Sequence, residues 1–111
     1  MEKHPIVCMC GSTRFKEDFL EWNKILTLKG WIVLMPGVFG HAGDEISVQQ
    51  QIQLDQLHRH KIALADIVFV VDKDNYIGVS TRAEIDLATN LNIPILYMSD
   101  LEKVCEEEEL S

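Results

Sequence analysis

Residues 67–98 read IVFVVDKDNYIGVSTRAEIDLATNLNIPILYM. The stretch opens on five consecutive apolar residues, Ile67–Val71, four of them β-branched, and this predicts a strand. DKDNYIG follows as a polar loop. The segment from Thr81 to about Leu91 reads as a helix, ended by Asn92. Ile93–Met98 is apolar again and reads as a second strand. A strand, a helix and a strand in this order predict parallel pairing with a right-handed crossover. The strands are continuous apolar runs rather than alternating ones, as expected where helices cover both faces of a sheet.

The same alternation extends upstream. Ile6–Met9 is apolar and β-rich, and CGSTR turns after it. Phe15, Phe19, Trp22 and Leu26 repeat at helical spacing, and Gly30 is placed to end that helix. Trp31–Met35 is another strand, stopped by Pro36-Gly37. GVFGHAGDE is a glycine-rich loop. Ser47 can cap a long helix running to about Ala65, and a last short helix starts at Ser99 or Asp100. The expected fold is a small three-layer α/β domain, Rossmann- or flavodoxin-like. Its parallel sheet has four to five strands in the order 2-1-3-4. The domain spans residues 1–100, with an acidic tail over 101–111. In such a sheet the order reverses between the first and third strands, and ligands sit at the carboxyl ends beside that reversal. Three loops therefore matter most: CGSTRF, GVFGHAGDE and DKDNYIGVST.

The chain has 111 residues, 47% of them hydrophobic, which suits one domain with a small packed core. The apolar runs fall well short of the roughly 18 residues of a membrane span. The N-terminus, MEKHPIVCMC, reads as a strand rather than a leader, so a soluble cytoplasmic protein is expected. The net charge is −8; residues 101–111 carry five Glu and one Lys, hence −4 of it. With no basic stripe, binding of a nucleic acid polymer is not expected. A small anionic ligand is still compatible. Cys8, Cys10 and Cys105 are too few and too odd in number for a disulfide framework. Cys8 and Cys10 share one side of their strand. No second ligand pair at metal-binding spacing is visible, so buried free thiols and no metal or other cofactor are expected.

Each chemical motif has an ordinary structural reading beside it. Gly11-Ser12-Thr13-Arg14 combines a tight turn, two hydroxyls, a planar cation and the free N–H groups of a helix start, all suited to an anion. It is equally an ordinary capped helix start. His41 lies between glycines in a loop that could cover a ligand or simply face solvent. Asp55, His58 and Lys61 share one helical face, either solvated or bordering the sheet's carboxyl edge. Thr81-x-x-Glu84 fits a capping box. Glu84 also follows the carboxyl end of a central strand, where a carboxylate can be nucleophile or base.

CGSTR at Cys10–Arg14, ADIVFVVD at Ala65–Asp72 and GVSTRAEIDLA at Gly78–Ala88 together resemble the nucleoside 2-deoxyribosyltransferase-like superfamily. That group includes the 5′-monophosphate N-glycosidases. The resemblance covers roughly residues 5–98 and implies a function. Glu84 would be a nucleophile toward C1′ of a deoxyribosyl group, giving a glycosyl-enzyme that water or a second base resolves. Gly11, Ser12 and Arg14 would form the phosphate-binding loop, with Cys10 beside them and His41 among the substrate-binding residues, and Gly78 and Ser80 would help hold the phosphate or sugar. His58 or Asp55 would protonate the leaving base. The implied ligand is a nucleoside or its 5′-monophosphate, and a homodimer or larger assembly is implied. The chain departs from the family pattern at three places. His58 stands where members carry a carboxylate, Gly78 where many carry a hydroxyl or carboxylate, and Cys8 where many carry tyrosine. Two other readings stay open: a non-catalytic nucleotide-binding domain, and an enzyme acting on a ribosyl or dinucleotide substrate.

Overall fold

Four strands form one all-parallel sheet in the order β2-β1-β3-β4: β1 (Ile6–Gly11), β2 (Ile32–Leu34), β3 (Ile67–Val71) and β4 (Ile95–Tyr97). The computed structural model describes residues 3–110; the side chains of His41 and of residues 106–110 lie outside the described set. Four helices alternate with the strands: α1 (Lys16–Leu28), α2 (Val48–Leu64), α3 (Val79–Asn90) and α4 (Met98–Leu110). The expected strand order and three-layer α/β architecture are both present.

The two faces of the sheet follow from the period of two along each strand. Val7, Met9, Phe69 and Val71 point to one side, where they pack with Phe19 and Leu26 of α1 and Met98 of α4. Cys8, Cys10, Val68 and Val70 point to the other, against Ile62 of α2 and Ile85 and Ala88 of α3. The core is therefore two apolar layers separated by the sheet, and both thiols lie in the layer under α2 and α3.

Local chemistry fixes the helix ends. The Ser47 hydroxyl accepts from Gln50 N at 3.1 Å, and the Gln50 side chain accepts from Ser47 N at 3.0 Å, a reciprocal capping box. At the start of α4 the buried carboxylate of Asp72, just past β3, accepts from Ser99 N at 2.9 Å and from Ser99 Oγ at 2.6 Å. This ties the fourth helix to the third strand.

Boundaries differ from the sequence reading where tertiary context intervenes. The outer strands β2 and β4 have three residues each, shorter than the Trp31–Met35 and Ile93–Met98 runs, because each has one hydrogen-bonding neighbour. Helix α3 starts at Val79, not Thr81. The backbone of residues 101–110, expected as a tail, continues α4, and Leu101 packs on the core. No helix among the described residues is long and apolar enough to cross a membrane.

Candidate functional site

The sheet order reverses at β1 and β3, and a cavity of about 500 Å³ opens at their carboxyl ends. Gly11 lines it from the end of β1, and Ser12 and Arg14 from the loop that follows. Asp55 and His58 line it from α2, and Gly78, Ser80 and Glu84 from the start of α3. One cavity thus gathers eight of the ten residues singled out in the sequence. The other two are placed differently. Cys10 is fully buried in the layer beneath, so the sheet interior, and not the ligand space, receives its side chain. His41 lies on the 3-10 turn Gly40–Ala42, with its side chain outside the described residues.

The loop after β1 is shaped by its own side chains. Ser12 Oγ accepts from Arg14 N at 3.4 Å and from Arg14 Nε at 3.0 Å. The guanidinium lies over the Tyr76 ring, 4.6 Å from its centroid, and donates to the Tyr76 hydroxyl at 3.4 Å. A stacked guanidinium is held in place without losing its charge. Tyr76 was missed in the sequence. It sits in a polar loop, and its role appears once the chain brings it against Arg14. Lys61 also lines the cavity, with its ammonium donating to Met35 O at 2.9 Å.

Glu84 does not cap its helix. The N-cap is Gly78, which has no side-chain capping bond, and Glu84 is the sixth residue of α3. Thr81, the other half of the expected box, is buried inside the first turn. Because the helix is capped three residues earlier than the local pattern suggests, Glu84 belongs to the second turn and reaches the cavity floor.

There it meets His58. The imidazole Nε2 is 3.2 Å from Glu84 Oε2 in an ion-pair contact. The alignment falls short of a hydrogen bond, and Glu84 Oε2 and His58 Nδ1 are both buried without a hydrogen-bond partner. The same Nε2 is 3.4 Å from Cys10 Sγ and 4.0 Å from Cys8 Sγ. Four polar groups from β1, α2 and α3 therefore converge on one point.

Their charges are linked. Burial opposes a charge on His58, but contacts with Cys8 and Glu84 overcome it and lift its pKa from 6.5 to about 9. Cys8 is lowered from 9.0 to about 6, chiefly by a hydrogen bond from Cys10 and against the burial that disfavours a thiolate. Cys10 is raised well above 9.0 by the same hydrogen bond and by burial. The shorter sulfur–imidazole contact belongs to Cys10, yet the lower pKa falls on Cys8. The negative charge is best assigned to the dithiol as a unit facing an imidazolium.

The arrangement offers three chemical capabilities: a cation and hydroxyls at the rim, a carboxylate on the floor, and a titratable cluster behind that carboxylate. The chain matches no protein-family model, and no curated protein is significantly similar to it.

Proposed function

We propose that the cavity binds a nucleoside 5′-monophosphate and that Glu84 cleaves its N-glycosidic bond, as in the nucleoside 2-deoxyribosyltransferase-like enzymes. The observation that carries the reading is the position of Glu84. Its carboxylate lies on the floor of the cavity at the sheet's reversal point, with Arg14, Ser12 and Ser80 lining the same space. The phosphate meets Arg14 and the Ser12 and Ser80 hydroxyls, while the sugar lies over Glu84. A Glu84 oxygen attacks C1′, the C1′–N bond breaks, and its electron pair leaves with the base. Water then cleaves the glycosyl-enzyme ester, as in retaining glycosidases.

The roles of the two α2 residues separate on geometry. His58 Nε2 already faces Glu84 and both thiols, so His58 orients the nucleophile. Asp55 is exposed in the cavity wall one turn away and accepts from Gln51 Nε2 at 2.9 Å. Asp55 is the better placed acid for the leaving base. The reading also carries a homodimer or larger oligomer whose second copy closes the open side of the cavity.

The test is release of free base from nucleosides, deoxynucleosides and their 5′-monophosphates, followed by chromatography. Wild type is expected to release base and Glu84→Ala to release none. Arg14→Ala is expected to weaken use of monophosphates by about 10- to 100-fold, the worth of one charge-assisted hydrogen bond, and to leave nucleosides nearly unchanged. Equal losses on both substrate classes would remove the phosphate assignment. Nucleotide-dependent thermal stabilisation without any base release would instead mark a binding domain.

A further inference from the structure

The convergence behind Glu84 has the shape of a metal site. Cys8 and Cys10, two residues apart on β1, present both sulfurs to the same side of the sheet. His58 comes down from α2, and Glu84 from α3. The ligand atoms of Cys8, Cys10 and His58 all lie within 4.8 Å of one another. A tetrahedral zinc ion with bonds of about 2.3 Å to sulfur and about 2.0 Å to nitrogen or oxygen sets its ligands about 3.5 Å apart for N–S pairs and about 3.3 Å for N–O pairs. Here the N–S separations are 3.4 and 4.0 Å and the N–O separation is 3.2 Å. Cys8, Cys10 and His58 thus form a three-ligand group at separations near those of a zinc site, and Glu84 adjoins it at His58 Nε2.

Two further observations favour a cation over a purely protein-made cluster. Glu84 Oε2 is buried, and its one contact is the ion pair with His58, with no aligned hydrogen bond to complete it. The donor set is also mixed, with two sulfurs, one imidazole and one carboxylate, which suits a thiophilic divalent ion and not magnesium or calcium. The thiols themselves are fully buried among apolar residues.

We infer that Cys8, Cys10 and His58 form a site for a thiophilic divalent cation of the zinc class, and that the bound ion draws Glu84, which adjoins His58, out of the cavity as its fourth ligand. The withdrawal rests on the nucleophile reading given above; the binding itself does not. The site is inhibitory, because it takes the carboxylate that would attack the sugar and leaves no open coordination position for substrate. On binding, each thiol that still holds a proton releases it to solvent and the imidazolium gives up its Nε2 proton, so the ligands bind as two thiolates, a neutral imidazole and a carboxylate.

The probe is cobalt(II), followed by zinc(II), titrated into the reduced, metal-free full chain. Tetrahedral cobalt with two thiolate ligands gives intense visible d–d bands and sulfur-to-metal charge-transfer absorption in the near ultraviolet. The expected result is one equivalent of cobalt per chain with both signatures, displaced by zinc. Cys8→Ser and Cys10→Ser should each weaken binding by about 100-fold or more, since even residues behind metal ligands cost 10- to 100-fold. Cys105→Ser, at an exposed and remote thiol, should bind as wild type. The wild-type titration decides by itself if the serine variants do not fold. Absence of the thiolate bands at one equivalent, or bands that survive in Cys8→Ser, overturns the site. Base release lost on adding one equivalent of zinc supports Glu84 as the fourth ligand; base release unchanged with zinc bound overturns that assignment. If no substrate yields base, the absorption result still stands or falls alone.

Discussion

Gly11 ends β1, pairs with Val71 of β3 and opens the loop that carries Ser12 and Arg14. Its φ is +153°, and a Cβ built there would lie 2.8 Å from Val71 O, 3.0 Å from Val71 Cβ and 3.3 Å from Phe19 Cζ. Two costs therefore meet in Gly11→Ala. A non-glycine residue in a sparsely populated backbone region costs about 1–3 kcal/mol. Overpacking against a carbonyl that cannot leave the sheet costs about 1–3 kcal/mol more. The lower chain entropy of the unfolded alanine variant returns about 0.4–1 kcal/mol. The expected net loss is about 3 kcal/mol, or a fall in Tm on the order of 10 °C for a domain of this size. Urea unfolding followed by circular dichroism measures it. Gly37→Ala is the internal control, because nothing lies within 4 Å of its Cβ position. It should unfold like wild type or slightly later. A Gly11→Ala protein within about 0.5 kcal/mol of wild type would refute the reasoning, since that is the scatter of an ordinary surface change.

Two other outcomes follow from the same structure. Asp72→Ala removes the acceptor of both Ser99 bonds and leaves the start of α4 unsatisfied; a loss of about 3 kcal/mol is expected in the same unfolding assay. In chelator-treated protein the His58 imidazole should titrate by NMR near 9, not at 6.5. Its folded pKa is raised, so its contribution to stability is complete below 6.5 and fades as pH rises through about 9. Cys8 is lowered from 9.0 to about 6, so its contribution is complete above 9.0 and fades as pH falls through about 6. Between about 6.5 and 9 the two slopes oppose and cancel. A dithiol–imidazolium unit therefore predicts no net stability slope from this cluster there, and a one-proton slope lost in His58→Asn would contradict the pairing.

The fold was legible because its signals are local. Ile67–Val71 is a continuous apolar strand with Asp66 and Asp72 at its ends, and the structure places β3 at those residues. Ser47 and Gln50 make their cap with groups three residues apart. Helix α3 marks the limit of local reading. Thr81 and Glu84 have the spacing of a capping box, yet Gly78 takes the cap, in extended backbone. A four-residue pattern carries no information about where the preceding loop releases the chain. The cavity residues were legible as a group because the sheet order predicts which loops meet. The cluster of Cys8, Cys10, His58 and Glu84 was not. Its members come from three elements, and about 50 residues separate the thiols from the histidine. Metal-site patterns in sequence rely on ligand pairs at short spacing, and here the fold supplies the second half.

The brevity of β2 and β4 bears on how the molecule behaves in a crowd. A parallel sheet with outer strands of three residues offers a neighbouring chain about 10 Å of free backbone on each flank. That length supports very few intermolecular hydrogen bonds, and short outer strands are a device by which natural sheets resist end-on growth. Fibre formation by strand addition is therefore disfavoured by the architecture itself. Self-association of the native protein is left to its helices and loops, where contacts are made by side chains and a partner can be chosen.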